Sequence, residues 1–287
     1  MDSTPIERRS GLTRLQFLQE YLIPRKPVVL TDAFDGQALL DTWTLDYFKE
    51  RFGTLLVNPI AYQAGFTRAV SRQFSLADYV RSIQQDTWQQ GWPAGYGAPY
   101  LERWGEFDPL WGQRARELET EYQTPLLFAD RSAILPKFLR GAITLQLFIG
   151  PAGTIVWLHR DSCMTHAWSC NITGRKLWLM YPPHQRKLVY DQGGRSAVHP
   201  EQPDYRQFPL FRDVPAITAT NGPGETVFIP AGWFHYVRSL EPTISLSGNF
   251  IDHNFSDYLT DWARSGMRIA YRHMRSWVRR PRSVQTA

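Results

Sequence analysis

The chain has 287 residues, enough to bury a substantial core in one large domain or two small ones. Its eleven tryptophans indicate a packed globular protein, which excludes the disordered and fibrous classes. Much of the net charge of +5 comes from seven arginines between Arg264 and Arg282. Such a run can suit nucleic acid or an acidic partner, but it is more often the solvated face of a helix. We therefore do not expect nucleic-acid binding.

The start of the chain and its cysteines bear on its compartment. Residues 1–9 contain no apolar segment of the signal-peptide kind, and no window approaches the length of a membrane span. The two cysteines, Cys163 and Cys170, have a spacing that matches no zinc or redox motif, so we expect a buried, reduced pair. These features predict a cytoplasmic protein, or a nuclear one in a eukaryote, without a membrane association.

Residues 1–124 predict a framework of helices and strand that packs beside the main domain. Two segments have the spacing of helix N-caps, and Gly53 is placed to end a helix. The predicted elements are a helix Thr13–Leu22, a strand Pro27–Thr31, a turn Phe34–Gly36, a helix Thr44–Phe52 and a helix that Ser75 and Asp78 cap, with Leu76, Tyr79, Val80 and Ile83 on one face. Residues 86–125 are rich in Gly, Pro and aromatic residues and indicate irregular structure.

Residues 125–252 have a different texture, with short β-prone runs separated by glycine-containing turns. The runs are Leu145–Ile149, Ile155–Leu158, Leu177–Met180, Thr226–Ile229 and Thr243–Leu246. Many short strands of this kind predict an antiparallel sandwich or barrel, so the fold class is mainly β with flanking helices. Residues 253–287 predict a C-terminal helix and basic tail, with an apolar stripe of Phe255, Tyr258, Leu259 and Trp262. We expect the three parts to form a single globular unit.

A histidine and a carboxylate two residues apart, His159 and Asp161, follow one β-prone run, and His235 follows another. In an extended chain, side chains at i and i+2 project to the same face. Two imidazoles and one carboxylate with open positions form the site type of non-haem Fe(II) oxygenases, although zinc hydrolases use the same ligands. A protein kinase also contains His-Arg-Asp, but the place of its metal-binding Asn is taken here by His166.

Lys176 is the candidate for a second role in such a site. If the co-substrate is 2-oxoglutarate, its keto-acid end chelates the iron and its distal carboxylate needs a cation inside the barrel. Lys176 lies in a β-prone run and shares a strand face with Trp178 and Met180. Arg175 faces the opposite way, which favours a structural or solvent-exposed role.

Several motifs resemble the Jumonji-C (JmjC) family, in the order and at the intervals found there. They are His159-x-Asp161, Ala167-Trp-Ser-x-Asn171, Gly174-Arg-Lys-x-Trp178, Tyr181-Pro-Pro183, Phe228-Ile-Pro-Ala-Gly-Trp-x-His235 and Thr243-Ile-Ser-x-x-x-Asn249-Phe250. Arg25–Leu30 and Tyr100–Trp104 are similar to earlier family segments, so the resemblance covers about residues 15–255. The chain looks most like the small JmjC hydroxylases without reader domains that are grouped with Jumonji-domain-containing protein 4.

The resemblance implies a double-stranded β-helix (cupin, or jelly-roll) core with Fe(II) on His159, Asp161 and His235. It also implies that Lys176 holds 2-oxoglutarate, which is decarboxylated to succinate and CO2 while O2 hydroxylates a C–H bond. Many relatives carry a hydroxyl residue three positions before the first ligand, where this chain has Val156. The missing contact to the co-substrate must come from elsewhere, and the candidates are Ser169, Asn171 and Asn249. Ser169 and Asn171 share one strand face, as do Ser247 and Asn249, so one of each pair could line the pocket.

The leading functional hypothesis is hydroxylation of a protein side chain, with lysine as the residue type suggested by the subgroup. A small-molecule or natural-product hydroxylase on the same core is an alternative, and demethylation of methyl-lysine uses the same chemistry. A different class of function, a non-catalytic cupin that binds a partner through its basic C-terminal helix, also stays open. The resemblance further suggests a homodimer formed through that helix.

Overall fold

The β-prone runs of the sequence form the strands of two facing sheets. The computed structural model describes residues 3–62, 68–70, 73–90, 98–101, 115–143 and 145–265. Its strands before residue 140 are β1 (Ser3–Pro5), β2 (Arg8–Arg9), β3 (Val28–Leu30), β4 (Leu56–Val57), β5 (Ile60–Tyr62), β6 (Arg68–Val70) and β7 (Phe74–Ser75). Those after it are β8 (Leu145–Gly150), β9 (Ile155–His159), β10 (His166–Thr173), β11 (Lys176–Tyr181), β12 (Ala216–Asn221), β13 (Thr226–Ile229), β14 (Phe234–Ser239) and β15 (Thr243–Phe250).

One sheet has the strand order β1-β12-β11-β14-β9 and the other β2-β3-β13-β10-β15-β8. Neighbouring strands of the C-terminal half pair antiparallel in both sheets, which gives the jelly-roll arrangement of a mainly β protein with flanking helices. β1 adds a parallel edge to the first sheet, and β2 and β3 extend the second. Strands β1, β2 and β3 are thus continuous with the core sheets, whereas β4 pairs with β7 and β5 with β6 in separate two-stranded sheets. The domain limits at residues 124 and 252 stay a prediction.

The helices follow the predicted caps closely. They are α1 (Arg14–Phe17), which continues as a π-helical turn Leu18–Leu22, then α2 (Leu39–Thr42), α3 (Leu45–Phe52), α4 (Leu76–Gln84), α5 (Ala115–Glu119) and α6 (residues 255–265). Thr13 and Gln16 form the predicted capping box, and Ser75 accepts a hydrogen bond from the Asp78 amide. The expectation of irregular structure across residues 86–125 is wrong at α5. The predicted arginine-rich tail and the segment around Trp104 fall outside the described residues.

The close packing of two neighbouring strands shapes the functional region. Trp168 on β10 lies against Gly248 on the neighbouring β15, where an added Cβ would come within 2.7 Å of the indole ring. Glycine is therefore required for the close approach of these strands.

Cys163 and Cys170 are both buried and unbridged, as predicted. Within the part of the chain that the structure describes, no helix is both long and apolar enough to cross a membrane.

Candidate metal centre

His159 and His235 are direct partners in the antiparallel pairing of β9 with β14. Directly opposite residues of such a pair place their side chains on the same face of the sheet. The two imidazole ring centroids are accordingly 4.2 Å apart. Asp161 follows the end of β9 and brings its Oδ1 to 3.8 Å from Nε2 of His159. One ligand atom of each of the three residues lies within 4.8 Å of the others, close enough to share one metal ion.

The backbone sets the orientation of both imidazoles. Nδ1 of His159 donates to the carbonyl of Trp157 at 2.7 Å, and Nδ1 of His235 donates to the carbonyl of Trp233 at 3.3 Å. A proton held on Nδ1 leaves the lone pair of Nε2 available for a metal. Burial lowers the pKa of both histidines to about 4, so both rings are neutral at pH 7.

Asp161 completes the set with a carboxylate. Burial raises its pKa, whereas His159, a hydrogen bond from the amide of Asn249 and the charge of Arg160 act in the opposite direction. A buried carboxylate of this kind is stabilised by a nearby cation. Two neutral nitrogens with free lone pairs and one carboxylate oxygen therefore fit a divalent metal such as Fe(II).

A cavity connects this triad with Lys176. Its walls come from both sheets, and the residues that line it besides the triad and Lys176 include Gln146, Phe148, Val156, Trp168, Ser169, Trp178, Ser247 and Asn249. The space between the two sheets thus contains the three candidate metal ligands and the amino group of Lys176.

Lys176 is 6% exposed and donates a hydrogen bond to the hydroxyl of Ser245. Its Nζ also lies 5.2 Å from the ring centroid of Phe148. Burial lowers the pKa of Lys176 to about 7, because few groups around it compensate for the lost hydration. Among the described residues, no acidic side chain lies within ion-pair distance of Lys176, which leaves its charge to be matched by an anionic ligand.

The residues predicted to contact the co-substrate separate into two groups. Ser169 lines the cavity and accepts a hydrogen bond from Ser247 at 2.7 Å, and Asn249 lines it beside Asp161. Asn171 is not part of the lining; its side-chain amide donates instead to the carbonyl of Asn221 at 3.0 Å. Of the first pair that shares a strand face, Ser169 lines the cavity and Asn171 does not; of the second pair, both Ser247 and Asn249 line it. Their contact with a co-substrate stays a prediction.

Sequence reasoning missed Ser245, the hydroxyl that contacts Lys176. Its signal was present, because Ser245 lies two residues before Ser247 and four before Asn249, on the same face of β15. Ser245 is absent from the cavity lining, so it contacts the cavity through Lys176 and does not replace the hydroxyl that Val156 cannot provide. His166, predicted to be packed or exposed, is buried outside the cavity, where it accepts a hydrogen bond from the Ala231 amide and stacks on Phe228.

A jelly roll that directs two histidines and a carboxylate into one cavity is the arrangement of the cupin class of proteins. The chain belongs to the cupin-like domain family, whose model matches residues 14–256. It is 29% identical to the 2-oxoglutarate and iron-dependent oxygenase JMJD4 of Gallus gallus, over 86% of this chain and 60% of that protein.

Two plant proteins with demethylase names are also similar to the chain. Lysine-specific demethylase JMJ21 of Arabidopsis thaliana is 30% identical over 91% of this chain and 27% of that protein. Arginine-specific demethylase JMJ20 of the same plant is 28% identical over 86% of this chain and 57% of that protein. The chain thus spans less than two thirds of the length of each of these relatives.

Proposed function

We propose that this protein is an Fe(II)- and 2-oxoglutarate-dependent dioxygenase that hydroxylates a protein side chain. One observation carries the proposal. A buried lysine, unmatched by any acidic side chain of the described residues, shares a cavity with a triad of two histidines and one carboxylate. Neither feature is favourable without a ligand, and a keto diacid with a divalent metal satisfies both at once.

The residues in and beside the cavity would have different binding roles. His159, Asp161 and His235 would hold Fe(II), which when bound supplies the activation of O2 coupled to oxidative decarboxylation of 2-oxoglutarate. Lys176 would bind the distal carboxylate by charge, and Ser245, which accepts a hydrogen bond from the Lys176 ammonium, would hold that group in position. Ser169 and Ser247 form a hydroxyl pair on the cavity wall, from which a further contact to the co-substrate would come.

The proposed substrate is a protein or peptide side chain, and lysine is the first residue type to test. The relatives with demethylase names support a macromolecular substrate over a free amino acid. Buried, unbridged cysteines support the expected reducing cytoplasmic compartment. Homodimer formation through the C-terminal helix is also proposed, on the resemblance alone.

The test uses the full purified chain with Fe(II), 2-oxoglutarate and O2, added to cell extract and to lysine-containing peptides. We expect succinate production and a mass increase of about 16 Da, one oxygen atom, on a protein fragment. His159→Ala is the inactive control, and His184→Ala changes an exposed histidine distant in sequence from the triad. Absence of metal binding together with absence of succinate would exclude the proposal.

The same assay separates the alternatives. Release of formaldehyde from methylated peptides would favour demethylation, as the names of two relatives suggest for those proteins. Oxidation of free amino acids without oxidation of peptides would favour a small-molecule hydroxylase. A biological effect that survives His159→Ala would favour a non-catalytic binding module.

A further inference from the structure

Helix α6 contacts the loop that carries the candidate ligand Asp161. Arg160 lies between the ligands His159 and Asp161, and its two terminal guanidinium nitrogens each donate to the carboxylate of Asp261 at 3.3 Å. The side chains of this pair are 14% and 12% exposed, so water weakens their attraction little. A bidentate pair also fixes the direction of the guanidinium plane.

The direction of Arg160 determines the direction of its two neighbours. The backbone of Asp161 is extended, with φ −63° and ψ 147°. In extended chain, residues i and i+2 project to one face and residue i+1 to the other. Anchoring Arg160 on the outer face by α6 therefore turns His159 and Asp161 together toward the cavity.

The loop beyond Asp161 needs support because its backbone is strained. Cys163 and Met164 are consecutive non-glycine residues with φ of 56° and 53°. Residues other than glycine adopt this left-handed region only where the surroundings impose it. Asn254, at the start of α6, donates from its side-chain amide to the Met164 carbonyl at 2.6 Å.

Packing adds to these polar contacts. Cys163 forms a small buried cluster with Ile251 and with Tyr258 of α6. Helix α6 and the residue before it thus contact the loop at three places: the Arg160 guanidinium, the Met164 carbonyl and the Cys163 side chain. All three contacts fall within four residues of Asp161 along the chain.

We propose that Asp261 and Asn254 are positioning residues of the metal centre, through which helix α6 holds Asp161 in the geometry that binds metal. The inference rests on the proposed function, because it assumes that the triad binds a divalent ion. Neither residue is a ligand. Each acts through the loop, in the manner of outer-shell contacts that orient metal ligands in other proteins.

Asp261→Asn keeps the shape of the side chain and removes the charge that faces Arg160. We expect the dissociation constant for Co(II), measured by titration calorimetry on the full chain, to rise by about tenfold to hundredfold, the usual effect of losing an outer-shell partner. Asn254→Ala should weaken Co(II) binding in the same direction. The visible absorption of bound Co(II) should also change, because the ligand geometry relaxes. Glu241→Gln, which breaks the exposed Arg175–Glu241 pair, is the matched control and should leave Co(II) binding unchanged.

A buried arginine without a partner also destabilises the fold, so a second variant separates stability from positioning. The double change Arg160→Met with Asp261→Leu replaces the ion pair by apolar side chains, which usually restores stability. We expect its unfolding midpoint to return toward that of the wild type while Co(II) binding stays weak.

Wild-type affinity for Co(II) in the folded Asp261→Asn and double variants would overturn the inference. Absence of Co(II) binding by the wild-type protein would instead overturn the proposed function, so the two failures are distinguishable.

Discussion

His159 and His235 face each other across β9 and β14, in register, although they are far apart in the sequence. The pairing brings the two imidazoles together without any contribution from a loop. Because side chains alternate between the faces of a strand, a slip of one residue in this register would turn one histidine away from the cavity. The geometry of the candidate metal centre is therefore specified by strand register, with Asp161 added at the strand end.

Metal binding should stabilise the native protein through this triad. At a Co(II) concentration a hundred times its dissociation constant, we expect a gain of about 2.7 kcal/mol in the free energy of unfolding. For a chain of this size the gain corresponds to roughly 5 °C in Tm. Thermal denaturation of the wild type and of His159→Ala, with and without Co(II), checks this expectation. The shift should vanish in His159→Ala and persist in His184→Ala, where an exposed histidine is changed.

Lys176→Ala should weaken 2-oxoglutarate binding while metal binding is preserved. A hydrogen bond to a charged group contributes about 1.5–3 kcal/mol, so we expect the dissociation constant to rise about tenfold to hundredfold. Calorimetric titration of the Co(II)-loaded protein under anaerobic conditions measures it. Lys187→Ala removes an exposed lysine and is the matched control. Equal affinities for the two variants would show that the co-substrate does not use Lys176.

The grouping of His159, Asp161 and His235 with Lys176 was predictable, because strand alternation and the family motifs both indicated these residues. Ser245 was missed, although alternation along β15 from Ser247 would have identified it. Asn171 was placed at the pocket because it shares a face with Ser169, but a strand face extends beyond the cavity that one part of it lines. The pairing of Arg160 with Asp261 joins segments far apart in the chain and follows no sequence pattern.

Local composition predicts some of the strands and not others. The runs at β8, β9, β11, β13 and β15 are apolar and were predicted from local composition. Local composition does not indicate strands β10, β12 and β14, because they mix polar and apolar residues. β10, for example, buries His166, Ser169 and Asn171 together with Trp168. A strand with a polar cavity on one face and a core on the other has no continuous apolar run, because its polar and apolar residues alternate.

Binding of 2-oxoglutarate should weaken as the pH rises above 7. Burial holds the pKa of Lys176 at about 7 in the ligand-free protein, so the lysine loses its charge above that pH. Because the distal carboxylate binds the charged form, each further pH unit should raise the dissociation constant about tenfold, until the pKa of the bound state is reached. Titrations at several pH values between 6.5 and 8.5 measure this slope.

A ligand of the same length without the distal carboxylate controls for titration elsewhere in the cavity. The affinity for 2-oxopentanoate should show no comparable loss with pH, since its end group does not need a cation. The free energy of unfolding of the ligand-free protein should rise over the same pH range. The unfolded chain keeps the lysine protonated up to its ordinary pKa of 10.5, so the cost of burying Lys176 falls as the pH increases from about 7 to that value. A pH-independent affinity for 2-oxoglutarate would contradict the assignment of Lys176.

Gly248→Ala should destabilise the protein and obstruct the cavity. The new methyl group would lie 2.7 Å from the indole of Trp168, on a face that contributes to the cavity lining. Overpacking of a tight interior costs about 1–3 kcal/mol, so the free energy of unfolding should fall by that amount. The urea midpoint should fall accordingly, while the slope of this free energy against urea concentration stays the same. Gly141→Ala is the matched control, because an added Cβ there meets no atom within 4 Å. If Gly248→Ala unfolds at the wild-type urea concentration, β10 and β15 do not approach each other as closely as Trp168 and Gly248 indicate.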